Sequence, residues 1–322
     1  MSSAEALPDT QPPITQPHWA DRLEERVLAL GHPSLVGIDP HPGQLPEEFA
    51  VVRDTSATPA TRAEAMAAFG CALVDVVADR AAAVKPQSAF FEQLGAEGVK
   101  AWETVVAHAH DAGLLVIGDV KRGDISSTAA AYATAFLEGD AGLDPRTLCD
   151  AITVNPYLGD DAVEPFVDAC ARTGRGLYVL VRTSNPGSKQ IQLHGEPPLC
   201  DLIATKVSAW GEKLRGTSGL SSIGAVVGAT HASELSRLRS LMPHTPFLLP
   251  GYGAQGAGAS DLRDAFSNGA HPFRAAIVNS SRGISFAYRK EAHAGKGWRQ
   301  AASDALDEMI IDLRSAMNAA TA

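Results

Sequence analysis

The chain has 322 residues, 45% of them hydrophobic and 20% charged, and carries a net charge of −10. That length and apolar content suit a globular fold with a sizeable core, while the acidic balance argues against a nonspecific nucleic-acid or anionic-membrane binder. No apolar run approaches the roughly 20 residues of a membrane span.

Residues 1–18, "MSSAEALPDTQPPITQPH", are polar and Pro-rich, without the apolar segment of a signal peptide. They are expected to form a disordered arm, and 19–322 a single domain. From Trp19 a helical period begins, with Trp19, Leu23, Val27 and Leu30 on one face. Gly31 and Pro33 end it. Eight short apolar runs follow, at 34–39, 82–86, 114–121, 151–155, 176–182, 223–228, 246–250 and 275–280. Each is bounded by turn residues and followed by an Ala-rich, helix-like stretch. Their near-continuous apolar character suits strands covered by helices on both faces. Eight alternating strand–helix units predict an α/β fold of the (β/α)8 TIM-barrel type. An open doubly wound sheet is the rival, and "GIDPHPG" after the first strand is not its GxGxxG fingerprint.

Two segments exceed an ordinary connection, 40–60 and 183–200. Both follow strands and so belong to the face where barrel enzymes carry their chemistry; 183–200 is the candidate lid. Cys71, Cys149, Cys170 and Cys200 have neither CxxC spacing nor a His at zinc-ligand spacing. They are expected to be reduced, buried residues of a cytoplasmic protein, and no metal site is expected.

The predicted strand ends deliver an unusual set of polar groups. Strand 1 gives Asp39, strand 2 Lys85, strand 3 Asp119 and Lys121 with Asp124 just beyond, and strand 4 Asn155. Strand 5 gives Arg182, Thr183 and Ser184. Strand 7 runs into "GYGAQGAG", and strand 8 ends in Asn279, Ser280, Ser281 and Arg282. Buried charges are costly unless paired or used, so alternating Asp and Lys over strands 1–3 points to one network. Asp119 and Lys121 are two apart and should face one side of their strand; the direction of Asp124 is not fixed by that period. Neighbouring carboxylates would hold Lys121 protonated against burial. That suits a proton donor rather than a Schiff-base lysine, which needs a neutral amine. The glycine-rich turn and Arg282 suit a phosphate dianion. His108 and His110 read as surface or packing residues, His41, His194 and His231 form no ligand set, Asp160 and Asp161 should open a helix, and Phe69 and Trp102 should face the core.

"DVKRGDI", residues 119–125, resembles the DxKxxDI signature of the orotidine 5′-phosphate decarboxylase family. "GIDP", "VKPQSAFFEQLG", "VRTSNPGS", "PGYGAQGA" and "NSSRGI" resemble its other motifs in order, over about residues 20–310. "KPQ", "RGDI" and "RTSNPG" are those of its longer bacterial branch. The resemblance implies cofactor-free decarboxylation of orotidine 5′-monophosphate (OMP) to UMP by a homodimer with shared sites. It assigns Lys121 as proton donor to C6, Asp119 as the group beside the leaving carboxylate, and Lys85 as a link between Asp119 and the ribose. Asp39 would bind ribose, with Asn155 also substrate-facing and Ser184 against the pyrimidine. Gly253, Gln255, Ser281 and Arg282 would hold phosphate. Asp124, with Ile125 and Thr128 nearby, would reach the partner's site. The rivals are a metal-dependent sugar-phosphate decarboxylase with the same Asp-x-Lys-x-x-Asp spacing, and a non-catalytic phosphate-binding barrel.

Overall fold

The eight predicted strands form β1 (Ser34–Ile38), β2 (Ala83–Pro86), β3 (Leu115–Arg122), β4 (Ala151–Val154), β5 (Gly176–Arg182), β6 (Ile223–Val227), β7 (Phe247–Leu249) and β8 (Ala276–Ser280). The structure is a computed structural model, and it describes residues 17–229, 232–253, 258–266 and 271–318. The strands pair in parallel, each with the next, and β8 returns to β1, closing the barrel. A parallel neighbour can be reached only by a crossover, and the helical stretches supply it. In chain order the helices are α1 (Trp19–Leu30), α2 (Pro59–Val77), α3 (Ser88–Glu92), α4 (Ala96–Asp111), α5 (Ser126–Ala133), α6 (Asp160–Thr173), α7 (Ser188–Gln192), α8 (Leu199–Gly211), α9 (Ala232–Leu241), α10 (Arg282–Ser285) and α11 (Trp298–Asn318).

The core is the shell between barrel and helices. Phe69 and Trp102 are buried on α2 and α4, as their helical spacing predicts, and β1, β2 and β4 are buried along their whole length. α1 ends as expected at Gly31, whose φ of 69° is the left-handed conformation that glycine adopts without strain. This helix closes the barrel's N-terminal end. Trp19 is wholly buried, donates its backbone N–H to Gly174 O at 2.8 Å, and lies edge-on to Tyr178. Gly176 makes that approach possible, since a Cβ there would lie 2.2 Å from the indole.

An ion network fastens the same end. Asp150 accepts from Arg22 at 2.7 Å, His110 at 3.0 Å and the Val116 N–H at 2.8 Å. Burial alone would raise the Asp150 pKa, but the His110 bond and Arg22 bring it down to about 2. Burial likewise opposes charging of His110, and its bond to Asp150 overcomes this and raises its pKa. His110 is therefore more than a surface or packing residue.

Residues 1–16 of the expected arm lie outside the described residues. His18, which the sequence placed in the arm, already belongs to the folded chain, with its Nε2 at 2.9 Å from both Leu214 O and Ser222 Oγ. The four cysteines are free. No helix among the described residues is long and apolar enough to cross a membrane.

Candidate active site

The polar strand ends converge at the C-terminal mouth of the barrel, where Asp119 is the hub. Its Oδ2 accepts from Lys85 Nζ at 2.6 Å and Gln87 Nε2 at 2.9 Å. Its Oδ1 accepts from Lys121 Nζ at 2.5 Å and Thr153 Oγ1 at 2.9 Å. Four donors from three strand ends thus fix one buried carboxylate in position and orientation. Burial would raise its pKa; the charges of Lys85 and Lys121 reverse this and hold it well below the usual carboxylate range. Burial would also discharge Lys85, and Asp119 with Asp39 instead keeps its pKa above the ordinary value. Lys121 differs from Lys85 in exposure, with 47% of its side chain accessible against 7%. Lys85 is thus the buried partner of the carboxylate and Lys121 the more exposed one.

Asp119 and Lys121 meet as the period of two predicts, but the strand is not regular there. The β3–β4 register shifts between Gly118 and Arg122, and Lys121 has a φ of +43°. A non-glycine residue in that region costs on the order of 1–3 kcal/mol and persists only where surroundings enforce it. Thr153 is part of that enforcement: its Oγ1 accepts the Lys121 N–H at 3.0 Å while donating to Asp119. Gln87 and Thr153 were not among the residues expected from sequence. Their signal lies in lateral neighbourhood, which period and spacing along one strand do not carry.

A cavity of about 950 Å³ opens beside this cluster. Lys85, Asp119, Lys121, Asn155 and Ser184 line it, and apolar residues of α8, including Leu202, Ile203 and Trp210, form its far wall. Asn155 Oδ1 accepts the Tyr157 N–H at 3.1 Å. Asp39, Asp124, Ile125, Thr128, Gly253, Ser281 and Arg282 are not among its lining residues. Asp39 ends β1, half-buried, and its Oδ1 has no partner among the described residues; neither does buried Asn279 Oδ1. Orphaned buried acceptors are uncommon and suit a place where a ligand hydroxyl completes the bonding. Ser281 stands beside Asn279 and takes a hydrogen bond from its Nδ2 at 3.3 Å. Gly37 leaves room for both, since a Cβ there would lie 1.8 Å from Ser281 Oγ. Arg282 is exposed at the start of α10, and Gly253 has a φ of +69°, with no atom of the described residues within 4 Å of where a Cβ would stand. Gln255 lies outside the described residues. Asp124 is half-buried and its Oδ1 accepts the Ile125 N–H at 2.8 Å, while Ile125 and Thr128 are exposed.

His41, just after β1, packs among aromatic rings. Its ring packs edge-on against Phe90 at 4.2 Å and Phe286 at 6.2 Å. Burial lowers its pKa, with Asp39 opposing and Arg282 adding to the shift, so it sits within the field of both. Among the described residues no three His, Cys, Asp or Glu side chains converge as metal ligands would.

The profile of the orotidine 5′-phosphate decarboxylase / HUMPS family matches residues 59–296, which include β2 to β8 and the whole Asp119 cluster. The chain belongs to that family. It is 42% identical over 309 residues to an orotidine 5′-phosphate decarboxylase of Rhodopirellula baltica, covering 92% of this chain and 99% of that one. To the Clostridium perfringens decarboxylase it is 37% identical, covering 84% and 89%. Among solved structures, the OMP decarboxylase of Leishmania donovani superposes with a TM-score of 0.68 at 30% identity, covering 92% of this chain and 99% of that one. The Asp119–Lys121 pair lies in the motif "DVKRGDI" and within the matched residues, and Asp119 there accepts four hydrogen bonds.

Proposed function

We infer that this chain converts OMP to UMP and CO2, the decarboxylation that completes de novo pyrimidine nucleotide synthesis. The observation that carries the reading is the Lys121–Asp119–Lys85 chain at the mouth of a barrel of this family. The C6–carboxylate bond breaks, CO2 leaves, and the electron pair remains on C6. Lys121 gives C6 its proton and is recharged from solvent. A positive charge held where negative charge develops lowers the barrier without metal or Schiff base. Asp119 aims Lys121 and lies beside the departing carboxylate. Fixing the geometry in advance removes the cost of reorganising at the moment of reaction.

Asp39, with an unpartnered buried oxygen, takes a ribose hydroxyl, and Lys85 connects the ribose side to Asp119. Asn155 and Ser184 face the pyrimidine from the cavity wall. Ser281, Arg282, Gly253 and Gln255 hold phosphate at the ends of β8 and β7. Remote phosphate binding supplies energy that the reacting ring alone cannot. The metal-dependent rival would need Asp119 to ligate a cation, yet both its oxygens already accept two donors each, two of them lysines. A cytoplasmic setting is supported by the four free cysteines, which a reducing compartment keeps as thiols.

The active unit is a homodimer. Ile125 and Thr128 beside Asp124 are exposed, and Tyr157 and Leu158 on the neighbouring β4–α6 connection are 75% and 50% exposed. An apolar patch beside a catalytic mouth suits burial against a second copy. Purified protein in EDTA should consume OMP, read as loss of orotidylate absorbance, and folded Lys121→Ala should not. Unchanged turnover in that variant would end the assignment. Mixed Lys121→Ala and Asp124→Ala subunits should regain part of the lost activity on exchange, since each hybrid dimer restores one complete site; no recovery would refute the shared site.

A further inference from the structure

Arg182 ends β5 at the mouth, where an anionic substrate would be an obvious partner, yet it is wholly buried. The β5–β6 register shifts between Leu180 and Arg182, and such a bulge re-aims a side chain. The guanidinium points into the wall behind the cavity. Its Nε and Nη2 donate to the two oxygens of Glu234, on α9, at 2.8 and 3.2 Å. Its Nη1 donates to Ser188 Oγ at 2.7 Å and to Gln192 Oε1 and Thr183 O at 3.3 Å. One planar group thus ties β5, α7 and α9 together. Gln192 extends the tie: its Oε1 accepts the Thr183 N–H at 2.9 Å and its Nε2 donates to Thr183 Oγ1 at 2.8 Å. Ser184 follows directly, lines the cavity, and packs on the end of β6, where a Cβ on Gly228 would lie 3.2 Å from its Cβ.

We propose that Arg182 is a positioning residue for decarboxylation: it fixes the turn from Thr183 to Gln192 as a rigid wall that holds Ser184 against the reacting ring. The inner half of the 183–200 segment is then a fixed jaw and not the moving part of a lid. The inference rests on the reading that Ser184 meets the pyrimidine. Lysine keeps the charge opposite Glu234 but lacks the fork, and cannot hold Glu234, Ser188 and Gln192 in one plane. A small misplacement of a positioning wall costs up to about 100-fold in rate. The phosphate and ribose contacts lie on other strands, so the loss should fall on kcat and leave KM nearly unchanged.

The test is a double-mutant cycle on the full-length enzyme with OMP, using Arg182→Lys, Ser184→Ala and both together, with folding checked by circular dichroism. Arg182→Lys should lower kcat by about tenfold or more with KM within about threefold. Ser184→Ala should cost much less in the Arg182→Lys background than in the parent enzyme. A folded Arg182→Lys enzyme with unchanged kcat, a loss confined to KM, or Ser184→Ala costs that multiply fully would overturn the proposal. So would a Ser184→Ala enzyme with unaltered kinetics. If Arg182→Lys does not fold, Gln192→Ala replaces it in the same cycle, with the same outcomes deciding. Absence of OMP turnover in the parent enzyme would instead defeat the functional assignment itself.

Discussion

Replacing Asp119 with Asn separates the electrostatic role of this carboxylate from its shape. The side chains are isosteric, so the cavity is kept, but one acceptor oxygen becomes a donor facing Lys85 and Gln87 or Lys121 and Thr153. Lys85 Nζ lies 2.6 Å from Asp119 with both side chains over nine-tenths buried. Two unit charges at that distance attract by about 6 kcal/mol at an effective dielectric of ~20. Forming the native pair already carries the desolvation cost of both ions, and the variant retains that of Lys85 without its partner. Breaking a buried pair from one side costs about 3–5 kcal/mol. The Lys121 contact adds little, because that side chain is half exposed and screened. Urea denaturation at pH 7 should therefore show Asp119→Asn less stable by about 3–5 kcal/mol. The deficit should shrink in acid, because a carboxylate with a depressed pKa contributes above its unfolded value and loses that contribution as pH falls through the folded one. Decarboxylation should fall by at least about 100-fold. A loss of stability below about 1 kcal/mol at pH 7 would show that Lys85 is not held by this pair, and would refute the reasoning.

Gly37→Ala should raise KM for OMP by about tenfold, since its Cβ would displace Ser281 and crowd Asn279 where the ribose and phosphate ends are expected; unchanged steady-state kinetics would show that Ser281 yields freely. At the closed end of the barrel, Asp150 should contribute about 2 kcal/mol above pH 4, lost as pH falls toward 2. His110, whose pKa is raised, contributes below its unfolded value near 6.5 and loses that as pH rises through the folded one. Urea midpoints across pH 2–9 should show both limbs in the parent chain, and Asp150→Asn should flatten them; an acid limb of unchanged steepness would contradict this.

The strands were legible because burial on both faces leaves an apolar run that needs no knowledge of neighbours. Asp119 and Lys121 were legible because their relation is local. Gln87 and Thr153 were not, although each lies on a correctly read strand end. Their bonds to Asp119 depend on which strands adjoin and in what register. Arg182 shows the opposite failure. It was placed correctly at a strand end, yet a bulge one residue earlier turned it away from the mouth. His110 was read as a bland helix residue because its partner Asp150 lies 40 positions away on another element. The family motifs carried what the pattern could not, namely a substrate; Asp124 stayed unplaced by periodicity and in the single chain accepts only the N–H of the next residue among the described hydrogen bonds.

The backbone at Lys121 carries a conflict between fold and chemistry. Its left-handed φ is one that glycine would adopt without strain, yet glycine has no amine to offer. On the role proposed for Lys121, drift at this codon is thus pulled toward a chain that folds more comfortably and loses its proton donor. Thr153 arbitrates, because one hydroxyl both receives the strained N–H and steadies the carboxylate that holds the lysine tip. Backbone comfort and catalytic aim are joined in a single oxygen atom, so a change at this neighbouring strand would be felt at both ends of the lysine at once.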